Sequence, residues 1–356
     1  MELIKLEINN ISKREDTETQ NQINKLRRQF QSSNINIILG AAFSFGVVEL
    51  LGSIESDLYN AEYIDKDESK VIEIKKSFFT QSILPLLDKE KIKIGESDRI
   101  KFISLLNKII DNRQSSILHK IINLYTTNYD FLVEIALEKS SSEYVDGFSG
   151  KLNPMFSTSN YGIVYSRQTS ISSMTSEIVT FNLYKLHGSL NWDLKENNIF
   201  ACDISSKISK IYSAISNDFD FINEYNKLAI INPTKSKLNK TVLDVNYYDQ
   251  LRMLSNEMEK NNSILISFGF SYNDEHIRQI TYRFLKGNPT LNLIILSFDE
   301  ESTNNFKHHF DSYSNVTIIQ LISRVYQEND SIVETIENFT LDRVNEILEE
   351  IYNGTK

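Results

Sequence analysis

The sequence predicts an α/β protein: a Rossmann-like parallel sheet with helices on both faces, a helical insertion and a small loop-rich subdomain. Three observations predict it. Short apolar runs recur at residues 34–39, 121–125, 181–186, 263–268, 291–296 and 316–319, with the unbroken hydrophobicity of strands buried on both faces. Each of the longer runs ends in a small or polar tip, and most tips lead into helical spacing. Strand and helix therefore alternate, which is the pattern of parallel strands joined by crossovers.

Residues 17–30 carry Ile23, Leu26 and Phe30 at helical spacing, with Thr17 or Thr19 placed to cap the start. The run at 34–39 ends in Gly40-Ala41-Ala42-Phe43-Ser44-Phe45-Gly46, and a second helix is expected through Leu50 and Leu51. A strand, a small-residue turn and a helix form the opening unit of a dinucleotide-binding fold, where backbone N–H groups approach a pyrophosphate. Ala42 breaks the glycine pattern, so a tight connection with no ligand is the competing reading of this piece alone. Residues 55–116 are charged and helical throughout. Past the strand at 121–125 comes Thr126-Thr127-Asn128-Tyr129-Asp130, then a helix over 131–137. Residues 140–181 are rich in Ser, Thr and Asn and read as short strands and loops.

The next strand runs into Lys185-Leu186-His187-Gly188-Ser189, with Trp192 read as a core anchor under that loop. Residues 204–226 give no clear pattern. Residues 228–233 read as a short strand stopped by Pro233, and 245–260 as a helix. The strand at 263–268 ends in Gly269-Phe270-Ser271-Tyr272-Asn273-Asp274, and a helix over 274–285 follows, with Asp274 as its cap. Ser297 sits at the tip of the strand at 291–296. Residues 331–352 are expected to form a long terminal helix. The organisation that follows is a single unit over 1–356. Its core takes 1–50, 117–139 and 180–330, with the insertion at 52–116, the loop-rich part at 140–180 and the terminal helix at 331–356.

Composition narrows the function. A net charge of −10 opposes a broad grip on a phosphate backbone, so no direct nucleic-acid binding is expected. No stretch reaches the roughly 18 apolar residues of a membrane span. Residues 1–5 lack the design of a secretory signal. One cysteine, Cys202, cannot form an internal disulfide, which fits a reducing cytoplasm, and it excludes a structural zinc site built on cysteines.

The tips carry the chemistry. Asn128 and Asp130 are good helix caps, and that is their plain reading. His187 is equally readable as a loop histidine, while His119, His276, His308 and His309 read as surface residues. Together, however, the tips show an order. Gly40-Ala41-Ala42-Phe43-Ser44 resembles the Gly-Ala-Gly-x-Ser turn of sirtuins. Thr126-Thr127-Asn128-Tyr129-Asp130 is similar to their Thr-Gln-Asn-Ile-Asp motif, His187-Gly188 to their His-Gly pair, and Gly269-Phe270-Ser271 to their Gly-Thr-Ser. The wording Gly-Phe-Ser-x-x-Asp and Leu-His-Gly-Ser-x-x-Trp resembles a bacterial sirtuin-like branch used in antiphage defence.

The resemblance implies NAD as substrate. It places Gly40, Ala41, Ala42 and Ser44 at the pyrophosphate, Thr127, Asn128 and Asp130 on the nicotinamide side, and His187 as general base. Gly269, Ser271 and Ser297 fall to the adenosine half. The family's paired Cys-x-x-Cys motifs have no counterpart, so no zinc is expected. Glycosidic cleavage of NAD to nicotinamide and ADP-ribose is then favoured over deacylation of acyl-lysine. The branch further implies a toxic effector that depletes NAD, a homo-oligomer and a HerA-type hexameric ATPase as partner. A non-catalytic NAD or ADP-ribose sensor and a zinc-free deacylase are the rival expectations.

Overall fold

The computed structural model describes residues 1–356 apart from 12–16, 50–53, 116, 169–174, 196–197, 231–240, 327–331 and 356. The apolar runs become the strands of a nine-stranded sheet. In chain order these are β1 (Glu2–Glu7), β2 (Asn34–Leu39), β3 (Ile121–Thr126), β4 (Glu143–Val145), β5 (Thr180–Lys185), β6 (Ser263–Phe268), β7 (Asn292–Leu296), β8 (Val316–Tyr326) and β9 (Ile332–Glu337). Across the sheet the order is β1-β8-β7-β6-β2-β3-β5-β4, with β9 pairing β8. Every pairing is parallel except that of β8 with β9. The chain leaves β2 toward β3 on one side and later returns to its other side with β6. That reversal puts the switch point of the sheet at β2, where open α/β sheets bind ligands.

Three buried asparagines lock the register of the central strands. Asn182 donates to Asn123 at 2.9 Å, and Asn123 donates to Asn36 at 2.9 Å. Asn36 in turn donates to the Ile264 carbonyl at 3.2 Å. These residues are direct register partners, Asn36 with Asn123 and Asn123 with Asn182. A slip of one residue would bury the amides without partners, which costs about 1–3 kcal/mol each.

Helices Glu18–Ser32, Glu96–Asp111 and Leu341–Asn353 cover one face, burying Ile23, Phe30, Phe102, Ile109, Val344 and Ile351 against the sheet. Thr17 caps the first of them, accepting the Gln20 N–H at 3.2 Å. Helices Thr241–Glu259, Glu275–Gly287 and Glu300–Phe310 cover the other face through residues such as Met258, Phe284 and Phe310. A third cluster joins Phe78, Phe79 and Ile83 to Ile208, Phe221 and Tyr225. It packs helix Glu68–Phe78 against helices Ile204–Ser213 and Asp218–Tyr225. Tyr129 and Phe131, from the tip after β3, lean on this cluster.

Several expectations change. Residues 2–7, read only for the absence of a signal, form edge strand β1. The terminal helix is shorter than expected: it spans Leu341–Asn353, and Ile332–Glu337 is a strand. Ile336 and Phe339 fit helical spacing, but Ile332-Val333-Glu334-Thr335-Ile336 is rich in β-branched residues, which favour a strand. Of residues 52–116, helix Glu96–Asp111 lies on the sheet itself and supplies core residues. Residues 204–226 form two helices. The helix expected through Leu50 and Leu51, and the second half of the strand at 228–233, lie outside the described residues. Trp192 is a core anchor, 2% exposed, with its ring 4.8 Å from that of Phe156.

Candidate active site

Parallel register brings the tips together. Leu39 pairs with Thr126 on one side and Phe268 on the other, and Thr126 pairs with Lys185. Gly40 and Gly269 therefore lie one residue past a shared level, while Asn128 and His187 lie two past it. The crossover order at β2 places this group at the switch point.

Gly40 and Gly269 are required by their contact. A side chain on Gly40 would begin 2.2 Å from the Gly269 carbonyl oxygen. One on Gly269, whose φ is +64°, would begin 2.3 Å from the Ala42 Cβ. The methyl of Ala42, a departure from the sirtuin turn, is thus accommodated by glycine at 269. The Ala41–Ser44 turn is a short 3₁₀ segment whose first bond runs from Phe43 N–H to the Gly40 carbonyl. The N–H groups of Ala41 and Ala42 precede that bond.

Behind this turn lies a directed chain of hydrogen bonds. Ser44, 1% exposed, donates to Asp130 Oδ2 at 2.6 Å. Its oxygen is then an acceptor for Asn128 Nδ2 at 2.9 Å. The same Nδ2 donates to the Gly40 carbonyl at 3.0 Å. With both amide hydrogens taken, the Asn128 carboxamide is held in one orientation and its Oδ1 is the group left to accept. Asp130 is buried, and its other oxygen accepts the Leu132 N–H at 3.0 Å, stopping the loop at the helix. Asp130 is a strut for Ser44 and Asn128. Thr127 is half-buried beside it.

Buried charge holds this strut from below. Lys185, 2% exposed, donates to the Asp130 carbonyl and pairs with Glu134 at 3.2 Å. Burial pushes the Glu134 carboxyl up, with the Lys185 ammonium opposing. Arg99, also buried, donates to the Ile92 carbonyl at 2.8 Å. Burial lowers its pKa, and the Asp130 charge acts against that shift.

His187 closes the other side. The ring is buried and lies 6.4 Å from Tyr129 and 6.2 Å from Tyr247, centroid to centroid. Its Nε2 is 2.9 Å from Asp274 Oδ2. Gly188 turns the chain with φ +78°, and a side chain there would begin 2.2 Å from the Ala229 carbonyl. The Ser189 hydroxyl and the Leu190 N–H both donate to the Tyr129 carbonyl, at 3.2 Å and 3.0 Å, tying the His187 tip to the Asn128 tip.

The remaining expected residues are placed differently. Ser271 is exposed and accepts weakly from Asn273 N–H at 3.4 Å. Ser297 is fully buried, and its hydroxyl bonds with Ser302, Thr303 and the Asp299 carbonyl, inside the start of helix Glu300–Phe310. His276 and His308 are exposed, and His119 meets Glu177 at 3.3 Å on the surface. Sequence reading gave Asp274 only a capping role and passed over Lys185, Glu134 and Arg99. A lysine inside an apolar run was the available signal, since burial of a charge demands a partner. Among the described residues no group of three His, Cys, Asp or Glu is placed to hold a metal ion.

The fold and the tips define an α/β protein with a cluster of polar tips at the switch point of a parallel sheet. A SIR2-like domain matches residues 123–319, more than half of the chain, and the chain belongs to the SIR2-like family. One solved structure, described as "Structural Basis for the Mechanism and Regulation of Sir2 Enzymes", is similar with a TM-score of 0.39 and 12% identity. That alignment covers 94% of this chain and 98% of the other. No curated protein matches the chain.

Proposed function

We propose that the protein cleaves NAD at the bond between nicotinamide and ribose, releasing nicotinamide and ADP-ribose. The observation that carries this reading is a fixed acceptor and a buried imidazole on neighbouring tips at one switch point: Asn128, oriented by Gly40 and Ser44, and His187, whose ring lies 6.4 Å from that of Tyr129. A protein that only holds a nucleotide needs neither an amide locked in one orientation nor a buried imidazole paired with a carboxylate. The leaving nicotinamide departs neutral from a cationic pyridinium, so the ribose passes through an oxocarbenium-like state. Asn128 Oδ1 accepts from a water or a ribose hydroxyl, and His187 takes the proton as water adds to the anomeric carbon. Atoms balance: NAD and water give nicotinamide, ADP-ribose and a proton. The N–H groups of Ala41 and Ala42 and the close approach allowed by Gly40 suit a pyrophosphate at the neighbouring tip.

In this reading NAD is consumed, and uncontrolled turnover would be toxic to a cell. That fits an effector of antiphage defence, activated by self-assembly or by a HerA-type ATPase, as the wording of residues 186–192 and 269–274 suggests. Purified protein incubated with NAD, alone and after assembly, should release nicotinamide measurable by chromatography. Asn128→Ala and His187→Ala should each abolish release while keeping the wild-type circular dichroism. Binding of NAD with no release under any condition would leave a sensor, and full activity in both variants would remove these residues from the chemistry.

A further inference from the structure

Asp274 does two things with two oxygens. Oδ1 accepts the Ile277 N–H at 3.1 Å, which caps helix Glu275–Gly287. Oδ2 faces His187 Nε2 at 2.9 Å, and the two side chains are only 7% and 8% exposed. Capping accounts for the first contact and leaves the second unexplained. The pair joins the tips after β5 and β6, which flank β2 and β3 from opposite sides. The contact therefore bridges the outer two of the four tips.

A carboxylate is an acceptor only, and a neutral imidazole has one N–H. Facing Oδ2, the proton of His187 sits on Nε2, and the lone pair is left on Nδ1. The rings of Tyr129 and Tyr247 lie beside the imidazole, which is itself buried. We propose that Asp274 is a positioning residue: it holds His187 in the Nε2–H tautomer so that Nδ1 is the base, and it balances the imidazolium that forms. In the step, the water oxygen bonds to the anomeric carbon as the bond to nicotinamide nitrogen breaks, with its electron pair leaving on nicotinamide. The water proton moves to Nδ1 and is later lost to solvent. The catalytic half of this proposal rests on the NAD-cleaving reading, while the tautomer half stands on the His187–Asp274 geometry alone.

Asn is as good a cap as Asp, so Asp274→Asn keeps the helix start. It turns the group facing His187 from an acceptor into an amide donor. Nitrogen-15 NMR of the imidazoles, assigned with His187→Ala among five histidines, reads the tautomer directly in alkaline buffer. The wild type should show Nε2–H at His187 and Asp274→Asn should switch it to Nδ1–H. Turnover in Asp274→Asn should fall by about 10²–10⁴ with KM changed little, the loss typical of a misdirected base. Asp274→Ser retains a cap and removes the partner, and should give mixed tautomers at nearly wild-type melting temperature. A wild-type Nδ1–H or mixed state, or an unchanged tautomer in Asp274→Asn, overturns the dyad. An altered tautomer with undiminished turnover overturns its catalytic role. If the wild type never cleaves NAD, the function reading fails while the NMR result still decides the dyad.

Discussion

Asn128 gains its meaning from three neighbours. Its amide donors are consumed by the Gly40 carbonyl and the Ser44 oxygen, and Ser44 can accept because its own proton goes to Asp130. The direction of the chain starts at Asp130, whose carboxylate accepts the Ser44 proton. Asp130→Asn tests this. The substituted side chain can still accept the Leu132 N–H, so the helix start survives. Its other position now donates to Ser44, whose proton must turn elsewhere, and the Asn128 amide loses its fixed orientation. Release of nicotinamide should fall at least about tenfold, a rise of ~1.4 kcal/mol in the barrier, with little change in melting temperature. A variant with wild-type turnover would show that the orientation of Asn128 is set by something other than this chain.

At the scale of the element, the Asn36–Asn123–Asn182 ladder does for the strands what Asp130 does for the loop. Tips can meet only if β2, β3 and β5 keep register, and apolar side chains alone specify register weakly in a sheet buried on both faces. Asn123→Leu breaks both rungs and strands an acceptor on Asn36 and a donor on Asn182. The urea midpoint should drop by the equivalent of about 2–6 kcal/mol, two unmet groups at about 1–3 each. Replacing all three by leucine should recover much of that, since an apolar set leaves nothing unpaired, while turnover stays impaired by relaxed register. Full activity in the triple variant would separate the ladder from the site.

Across the whole molecule, the helices over 68–87 and 204–225 form a cap that the sheet does not need for its own core. Phe79 and Phe221 meet edge to face at 6.0 Å inside it, and Tyr129 meets Phe78 in the same way at 6.0 Å. The cap therefore reaches the loop that carries Asn128. Phe79→Ala should cost about 3–5 kcal/mol locally. Hydrogen exchange should rise across helices Glu68–Phe78 and Asp218–Tyr225 while β2 and β3 stay protected. Uniform loss of protection would mean that cap and sheet form one cooperative unit.

The order of strands, the helices between them and the identity of the polar tips follow from the sequence, because burial on both faces writes long apolar runs and their ends must be polar. Asn128, Asp130 and His187 were legible as polar tips on that basis, and as a group through the order of motifs that resembles sirtuins. Edge strands β1 and β9 were not, since a half-covered strand carries a weaker pattern that helical spacing can imitate. Nor were the roles within the group. Whether Asp130 touches a ligand or a serine, whether Ser297 faces the other tips or its own helix, and which acid meets His187 depend on which tips lie side by side. Only the parallel register across β5, β3, β2 and β6 decides that, because it brings Ser44 to Asp130, and Asp274 to His187, from positions 86 and 87 residues apart in the chain.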